Sequence, residues 1–304
     1  MGDKICWLTG CSGFIGKYLV KELKKNNFKL RCFSNNSILR DNPNKIKDNY
    51  YYMDFSSKKN ITRHIENFGC PDIFIHLGWG NMESPMSTHH LTDNVKEAEI
   101  LIDSFYSSGI EKFVFLGSMN EYGARVGPLS EDMEPKGRLT NYAKGKIKVA
   151  KFGFSRSAYF GRKFIHIRPF YVYGPGQRKW SLINTLFDAF QEKTPPKLGP
   201  CEHYRDYIYV KDVAEGIVRL IKINTSCTIN LGSGSFIMVK DFVKKFWDGI
   251  GGEMKSLKFG SRQMSDDEPE QPKSYADLTR LKKMTKWKPN YSLEEGIQGT
   301  IKNY

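Results

Sequence analysis

A glycine-rich turn near the amino terminus limits the possible folds more than any other feature of the chain. It follows a short apolar run and precedes a segment whose apolar residues recur at helical spacing up to Leu23. The run is Ile5-Cys6-Trp7-Leu8, and the turn is Thr9-Gly10-Cys11-Ser12-Gly13-Phe14-Ile15-Gly16. A buried strand, a glycine turn and a helix in this order predict the opening βα unit of a parallel sheet.

Each glycine of this turn has a physical purpose. Gly10 permits the tight turn, Gly13 lets the backbone approach a pyrophosphate, and Gly16 allows close packing of helix on strand. The helix that follows presents free N–H groups and a favourable dipole to an anion. The alternative is a glycine turn that holds no ligand. We predict a dinucleotide contact from Gly10, Ser12, Gly13, Phe14, Ile15 and Gly16.

A second pattern can move a proton. Tyr142 and Lys146 are four residues apart, which places them on one face of a helix, and Ser118 precedes the tyrosine by twenty-four residues. A lysine charge favours the phenolate and brings tyrosine, with an ordinary pKa of about 10, toward the working range. A serine hydroxyl can stabilise charge on a substrate oxygen. We predict catalytic roles for all three, the alternative being a surface pair on an ordinary helix.

Strand-like runs alternate with helical stretches, which predicts an α/β protein with a doubly wound parallel sheet. The runs cover 5–9, 30–33, 73–77, 113–116 and 164–167. Gly10, Gly78, Ser118 and Pro169 each follow a run directly, so we expect them to converge at the carboxyl edge of the sheet.

The chain resembles the extended short-chain dehydrogenases/reductases, the NAD-dependent epimerase/dehydratase family that acts on nucleotide sugars. Besides the patterns above, the matching blocks are Ile75-His76-Leu77-Gly78-Trp79, Asn94-Val95, residues 168–177, 205–214 and 230–234, Tyr275-Ala276-Asp277 and Trp287-Lys288-Pro289. The resemblance implies a Rossmann domain of residues 1–170 with 206–226. It also implies a smaller nucleotide-sugar-binding lobe of residues 171–205 with 227–304.

The resemblance extends the predicted sites. It implies further cofactor contacts from Asp54, Phe55, Leu77, Gly78, Trp79, Asn94, Tyr142, Lys146, Pro169 and Phe170. It implies substrate contacts from Trp79, Ser118, Met119, Asn120, Tyr142, Tyr171, Gln177 and Arg205. Arg205 matches the family's diphosphate-binding arginine, the alternative being a salt bridge with Asp206. Tyr171 stands where the family commonly has asparagine, and Trp79 is expected either to wall the sugar pocket or to serve packing.

The end of the second strand bears on the cofactor. NAD-binding folds usually carry an acidic residue there for the ribose 2′-hydroxyl. This chain has Ser34-Asn35-Asn36, with Arg40 shortly after. Without a carboxylate to repel a 2′-phosphate, we predict NADP, with NAD as the alternative. Asn35 serving only as a turn cap is the competing explanation.

The residues after Ser118 reduce the number of reactions that the chain could catalyse. Dehydratases of the family carry Asp-Glu there as acid and base, and the decarboxylases carry a glutamate at position 120, whereas this chain has Met119-Asn120. Neither side chain has a useful pKa for proton transfer. We therefore predict 4-keto reduction, with 4-epimerisation as the alternative and a dehydrogenase or a non-catalytic binding protein as further possibilities. Glu121 before Tyr122-Gly123 resembles deoxysugar ketoreductases, unless it faces solvent.

Composition excludes other classes. The net charge of +14 is dispersed in short runs, so we predict no nucleic-acid partner, and no apolar run reaches the ~20 residues of a membrane span. Six cysteines without a Cys-x-x-Cys pair indicate free thiols and a cytoplasmic location. We predict no metal site.

Two segments are predicted to pair with their copies in a homodimer. They are the helices 94–106 and 142–157. Their proposed apolar stripes are Ala98, Ile100, Leu101 and Phe105, and Ile147, Val149, Ala150 and Phe154. The alternative is that both stripes pack only on the sheet of their own chain.

Overall fold

The computed structural model describes residues 4–35, 49–262 and 273–304. The chain divides into two compact units. Unit 1 comprises Met1–Glu121, Leu139–Arg168 and Ala214–Ile229, and unit 2 comprises Tyr122–Arg138, Pro169–Val213 and Asn230–Tyr304. The division predicted from the sequence places 122–138 and 206–213 in the first domain, whereas both lie in unit 2. The segment 122–138 groups with unit 2 because its strand pairs with a strand near the carboxyl terminus.

A seven-stranded sheet dominates unit 1. Its strands are β1 (Ile5–Thr9), β2 (Lys29–Ser34), β3 (Tyr50–Tyr52), β4 (Ile73–His76), β5 (Lys112–Leu116), β7 (Lys163–Pro169) and β11 (Cys227–Leu231), β6 lying in unit 2. Their order is β11-β7-β5-β4-β1-β2-β3, and all pairings from β3 to β7 are parallel. The chain runs outward from β1 in one direction and then returns to add β4 on the other side. The predicted doubly wound sheet is confirmed, with its switch point between β1 and β4.

Helices alternate with these strands. They are α1 (Phe14–Lys25), α2 (Lys58–Phe68), α3 (Asp93–Ser107), α4 (Asn141–Tyr159) and α6 (Val210–Leu220), the last of which begins in unit 2. The core between sheet and helices is strongly aromatic, with Trp7, Phe74, Phe105 and Phe113 fully buried. Four of the seven strands, β1, β4, β5 and β7, are buried along almost their whole length, as expected for parallel strands covered on both faces.

Unit 2 has shorter elements. They are β6 (Gly127–Leu129), β8 (Tyr171–Tyr173), α5 (Leu182–Gln191), β9 (Tyr204–Arg205), β10 (Tyr207–Tyr209), β12 (Ile237–Met238), α7 (Val239–Gly249), β13 (Ser274–Ala276), α8 (Thr279–Thr285) and α9 (Leu293–Ile301). The strands form three two-stranded pairs: β8 with β10, β9 with β12, and β6 with β13.

The predicted dimer stripes are largely used within the chain. Ala98, Leu101, Phe105, Val149 and Ala150 are buried in the monomer, because helices α3 and α4 pack on the sheet and on each other. The three half-buried members are Ile100, Ile147 and Phe154. Five of the eight stripe residues therefore pack inside the chain, as the alternative expects. The homodimer itself stays a prediction.

Three further expectations concern chemistry outside the site. All six cysteines are free thiols. Within residues 4–35, 49–262 and 273–304, no cluster of three potential metal ligands is found. Across the same ranges, every helix is too short or too polar to span a bilayer.

Candidate active site

The glycine turn after β1 has the geometry that a pyrophosphate needs. Gly10 has φ +74°, and a Cβ there would lie 2.8 Å from the Gly78 nitrogen. A Cβ on Gly16 would lie 2.0 Å from the Gly10 carbonyl oxygen, so only glycine lets α1 pack this closely. Helix α1 begins after Gly13, and no side chain of the described residues caps it. Its first N–H groups therefore remain available to an anionic group, and these residues fit a dinucleotide.

A buried hydrogen-bond chain joins this turn to the end of β4. The Thr9 hydroxyl lies 2.8 Å from His76 Nδ1 and accepts a hydrogen bond from the Gly78 N–H at 3.1 Å. Burial, reinforced by the charge of Lys146, lowers the pKa of His76 to about 3. The neutral His76 ring, through its hydrogen bond with Thr9, therefore helps to fix the loop after β1 relative to the loop after β4.

Ser118 lies two residues after the end of β5 and is almost fully buried. Its hydroxyl accepts a hydrogen bond from the Asn120 N–H at 3.2 Å, and its own N–H donates to Glu121 Oε1 at 2.8 Å. Met119 beside it is also buried, whereas Asn120 is half-buried. The first bond fixes the Ser118 hydroxyl and the second fixes its backbone, so the hydroxyl is held in one place.

Glu121 does not face solvent. Its Oε1 accepts from His166 Nε2 at 3.1 Å and its Oε2 accepts from Arg168 Nε at 3.0 Å. Burial opposes ionisation, but His166, Arg168 and the Ser118 N–H together lower the pKa of Glu121. A Cβ on Gly117 would lie 2.3 Å from Glu121 Oε1, so this glycine makes room for the carboxylate. The network anchors the Ser118 turn between β5 and β7.

The structure places Tyr142 and Lys146 in the first turns of α4. Thr140 caps this helix, its hydroxyl accepting from the Ala143 N–H, and the Tyr142 N–H donates to the Pro85 carbonyl at 2.9 Å. The Lys146 side chain is buried, and its Nζ donates to the Leu116 carbonyl at 2.7 Å. Its ammonium lies 5.7 Å from the centre of the Tyr142 ring. The predicted pair thus converges with the end of β5, two residues before Ser118.

Trp79 and His90 lie beside this pair. The Trp79 ring centre is 3.8 Å from Lys146 Nζ, and its indole N–H donates to His90 Nδ1 at 3.0 Å. The Asn94 side chain accepts from the Gly80 N–H at 3.0 Å and donates to the Gly80 carbonyl at 3.1 Å. Asn94 therefore braces the loop that carries Trp79, a contact that its predicted role in cofactor binding did not include.

A carboxylate that sequence analysis missed lies beside the end of β2. Glu97 of α3 hydrogen-bonds the Asn35 side chain and lies near Asp54, and burial raises the pKa of Glu97. Asp54 Oδ1 accepts from the Ser56 N–H and hydroxyl, while Phe55 is buried with its ring centre 6.5 Å from that of His76. Ser34 is half-buried at the strand end. Asn36 and Arg40, on which the NADP prediction partly rests, lie outside the described residues.

The predicted substrate residues of unit 2 lie around β8, β9 and β10. The Arg205 guanidinium is 4.2 Å from the centre of the Tyr171 ring. Within the described residues Arg205 forms no ion pair with Asp206, whose carboxylate instead accepts from Ser233, Gly234 and Ala276. The Asp206 carboxylate is therefore committed to these three residues and not to the salt bridge with Arg205 that the alternative expects.

Other predicted contacts in this unit serve its backbone. Gln177 Nε2 donates to the Val172 carbonyl at 2.9 Å, and the Phe170 N–H donates to the Leu231 carbonyl at 2.9 Å. Pro169 and Phe170 are buried. Arg205 lines a cavity of about 440 Å³ in this unit. Other residues of its wall are Tyr173, Tyr207, Tyr209, Tyr291, Lys282 and Lys288.

The fold and the Ser118, Tyr142 and Lys146 arrangement define a nicotinamide-dependent enzyme of the dehydrogenase/reductase class. Residues 6–232 match the model of the NAD dependent epimerase/dehydratase family. The chain belongs to that family, whose members act on nucleotide sugars with a nicotinamide dinucleotide cofactor.

Named relatives differ in reaction. The chain is 26% identical to an uncharacterized UDP-glucose epimerase of Bacillus subtilis, covering 97% of this chain and 96% of that protein. It is 24% identical to the CDP-abequose synthase of Salmonella typhimurium, with the same coverage. The crystal structure of Thermus thermophilus UDP-glucose 4-epimerase in complex with NAD matches with a TM-score of 0.82 at 19% identity over 98% of both chains. These similarities support the family and the fold.

Proposed function

We propose that this enzyme uses NADPH to reduce the 4-keto group of a nucleotide-linked 6-deoxy sugar, or of a closely related keto sugar. The observation that carries the proposal is that Lys146 Nζ donates to the Leu116 carbonyl at the carboxyl end of β5, two residues before Ser118. The supporting contact is the buried Lys146 ammonium, 5.7 Å from the Tyr142 ring centre. When bound, the cofactor supplies the hydride.

The three side chains divide the proton chemistry among them. Ser118 donates a hydrogen bond to the substrate oxygen, and Tyr142 delivers a proton to it as the carbonyl becomes an alcohol. Lys146 contributes a positive charge that favours the phenolate left behind. The glycine turn after β1 holds the pyrophosphate of the dinucleotide.

Substrate binding would draw on Arg205. Its planar guanidinium can make two parallel hydrogen bonds to a diphosphate. The cavity that it lines has further lysines, Lys282 and Lys288, in its wall. Binding energy gained at the diphosphate would hold the keto group in place for hydride transfer.

The dehydratase alternative lacks its acid and base. Met119 is buried, and neither it nor Asn120 can exchange a proton. Glu121 is the nearest carboxyl group in sequence, but it is fully engaged with His166, Arg168 and the Ser118 N–H. Removal of water from the sugar therefore has no assigned proton donor in this segment.

A nucleotide-sugar 4-epimerase with tightly bound NAD is the second candidate. The specific observation in its favour is Glu97, because its carboxylate beside Asn35 would repel a 2′-phosphate and suit the ribose hydroxyl of NAD. The relatives named above include both an epimerase and a synthase, so proteins of similar sequence carry names for different reactions.

One assay separates the two candidates. The enzyme is incubated with UDP-, GDP-, CDP- and dTDP-linked hexoses and with their 4-keto-6-deoxy forms, while the absorbance of the reduced cofactor is followed. Stoichiometric consumption of NADPH with a keto sugar is the expected result. Interconversion of two ordinary sugar nucleotides without net cofactor change would reject the reductase in favour of the epimerase.

Cofactor preference gives an independent test. Fluorescence titration should show tighter binding of NADPH than of NADH by the wild-type protein. Ser34→Asp should weaken NADPH binding by adding repulsion, and Glu97→Gln should strengthen it by removing repulsion. A clear wild-type preference for NADH that Glu97→Gln abolishes would overturn the NADP assignment and name the residue responsible.

A further inference from the structure

The Lys146 ammonium is held in place by two aromatic rings and a backbone carbonyl. Its Nζ lies 3.8 Å from the centre of the Trp79 ring and 4.7 Å from that of Phe115, and it donates to the Leu116 carbonyl. The side chain is only 2% exposed. An ammonium at this distance from an indole face is strongly attracted to the ring, and more so when water is excluded.

The indole itself is fixed by a histidine whose protonation state can be deduced. Both Trp79 Nε1 and Asn94 Nδ2 approach His90 Nδ1, at 3.0 and 3.2 Å. Each of those nitrogens can only donate, so Nδ1 must be the unprotonated acceptor. His90 Nε2–H then donates to the Ser84 carbonyl at 3.1 Å. His90 is therefore neutral and aligns the indole nearly parallel to its own ring, at 11°.

A glycine in α4 allows the helix to pack closely against His90 and Trp79. Gly145 lies between Tyr142 and Lys146, inside a helix, where glycine costs about 1 kcal/mol relative to alanine. A Cβ at Gly145 would lie 2.3 Å from the His90 carbonyl oxygen and 3.3 Å from Trp79 Cζ2. The glycine thus allows α4 to approach the loop that carries the indole and the imidazole.

The same two rings also contact the tyrosine. Tyr142 meets Trp79 edge-to-face at a centroid distance of 6.3 Å and His90 at 5.4 Å. We propose that Trp79, aligned by His90 and Asn94, is a positioning residue that holds the Lys146 ammonium where its charge acts on the Tyr142 phenol. This role deepens the proposed function, on which it rests, and differs from a sugar-pocket wall or simple packing.

The titratable groups near Tyr142 and Lys146 determine which ionisation a pH measurement would detect. Burial is the main cause that lowers the pKa of His90, and the nearby His89 and Lys146 lower it further. His89 is paired with Asp93 at 2.7 Å. His90 therefore stays neutral through the range in which the phenol titrates, and the lysine supplies the charge that matters.

The test compares Trp79→Leu with Trp79→Phe, and uses Trp180→Leu as the matched control because Trp180 is an exposed indole in unit 2. Ionisation of Tyr142 is measured without substrate, as the ultraviolet phenolate signal that Tyr142→Phe removes. In Trp79→Leu the midpoint should rise by about 0.5 pH unit or more, since the lysine charge is no longer fixed. Trp79→Phe keeps a ring face and should fall between this variant and the wild type.

The decisive experiment asks whether the effect of Trp79 on the Tyr142 titration depends on Lys146. In a Lys146→Met background, Trp79→Leu should leave the Tyr142 midpoint unchanged, because the charge through which the indole acts is gone. A shift of equal size with and without Lys146 would overturn the proposal, as would an unchanged midpoint in Trp79→Leu itself.

Kinetics separate this role from substrate contact. Trp79→Leu should lower kcat about 3- to 30-fold while the KM for the nucleotide sugar stays at its wild-type value. A raised KM with unchanged kcat and phenol titration would assign Trp79 to the sugar pocket instead. Because the titration needs no substrate, the proposal can fail or hold whichever reaction the enzyme catalyses.

Discussion

In unit 1 the buried carboxylate of Glu121 lies between His166 and Arg168. In unit 2 the donors to the Asp206 carboxylate among the described residues are all neutral. Those donors are the Ser233 N–H and hydroxyl, the Gly234 N–H and the Ala276 N–H. Both side chains are shielded from water. Burial raises the pKa of Asp206 in spite of its four hydrogen bonds, while cationic partners lower that of Glu121.

The difference shows what each region requires. Around Glu121, side chains from β5 and β7 must be held in a fixed relation to Ser118, and charged groups can do this over long distances in sequence. Around Asp206, the carboxylate organises the backbone of the Ser233 turn next to Arg205, a task that needs amide donors more than charge. The proposed proton-transfer residues thus depend on side-chain charge, and the proposed diphosphate anchor depends on loop backbone.

The largest expected effect lies in unit 1. Tyr142→Phe and Lys146→Met should each lower kcat on the order of 10²–10⁴-fold, because each removes a part of the proton-transfer pair. Steady-state kinetics with the keto sugar measure this. Tyr159→Phe and Lys151→Met, exposed positions of the same helix, are the matched controls and should retain wild-type rates. A Tyr142→Phe enzyme with near-normal turnover would contradict the mechanism.

The next effect tests the two carboxylates directly. Glu121→Gln should lower the free energy of unfolding at neutral pH by about 3 kcal/mol, because a buried carboxylate loses its charged hydrogen bond with Arg168 and its hydrogen bond with His166. Since the folded pKa of Glu121 is lowered, its contribution exists above its unfolded pKa of about 4.3 and disappears as pH falls through the folded value. Urea unfolding of variant and wild type across pH should therefore converge in acid.

Asp206→Asn should show the opposite slope. Its folded pKa is raised, so its contribution is complete below its unfolded pKa of about 3.9 and is lost as pH rises through the folded value. The variant should accordingly differ most from the wild type in acid. Glu294→Gln, which breaks an exposed pair with Lys245, is the control and should cost about 0–1 kcal/mol. Equal slopes for both buried carboxylates would remove the distinction between the two units.

The smallest expected effect concerns Arg205. Arg205→Lys keeps the charge but loses the planar fork, so the KM for the nucleotide sugar should rise about tenfold with little change in kcat. Lys282→Met in the cavity wall provides a comparison in which one exposed charge is lost. If Arg205→Lys lowered kcat as strongly as Tyr142→Phe does, the assignment of binding to unit 2 and chemistry to unit 1 would be wrong.

Local spacing was enough to predict the sheet and to place Lys146 at the end of β5, two residues before Ser118. Strand–turn–helix order fixes which residues lie at the carboxyl edge, and a four-residue interval fixes a common helix face. The glycine turn has the predicted geometry at Gly10 and Gly16.

Residues that act across elements could not be predicted in this way. Glu97 approaches Asn35 from a different helix, and the burial of Glu121 depends on β7. A signal for Glu121 did exist, since the small Gly117 and the later His166 and Arg168 fit a buried acid. For the dimer stripes the periodicity was apparent, but it could not show which apolar face the chain's own core would use.

The central claim is that hydride and proton are delivered to the keto carbon and oxygen of a nucleotide-linked sugar, with Tyr142 supplying the proton. Its most direct test is incubation of each 4-keto sugar nucleotide with NADPH deuterated at C4 of the nicotinamide, followed by NMR of the product. We predict one deuterium at the sugar C4 for each NADPH consumed, and loss of this labelling in Tyr142→Phe. Conversion of a sugar nucleotide to its C4 epimer without deuterium uptake would contradict the account.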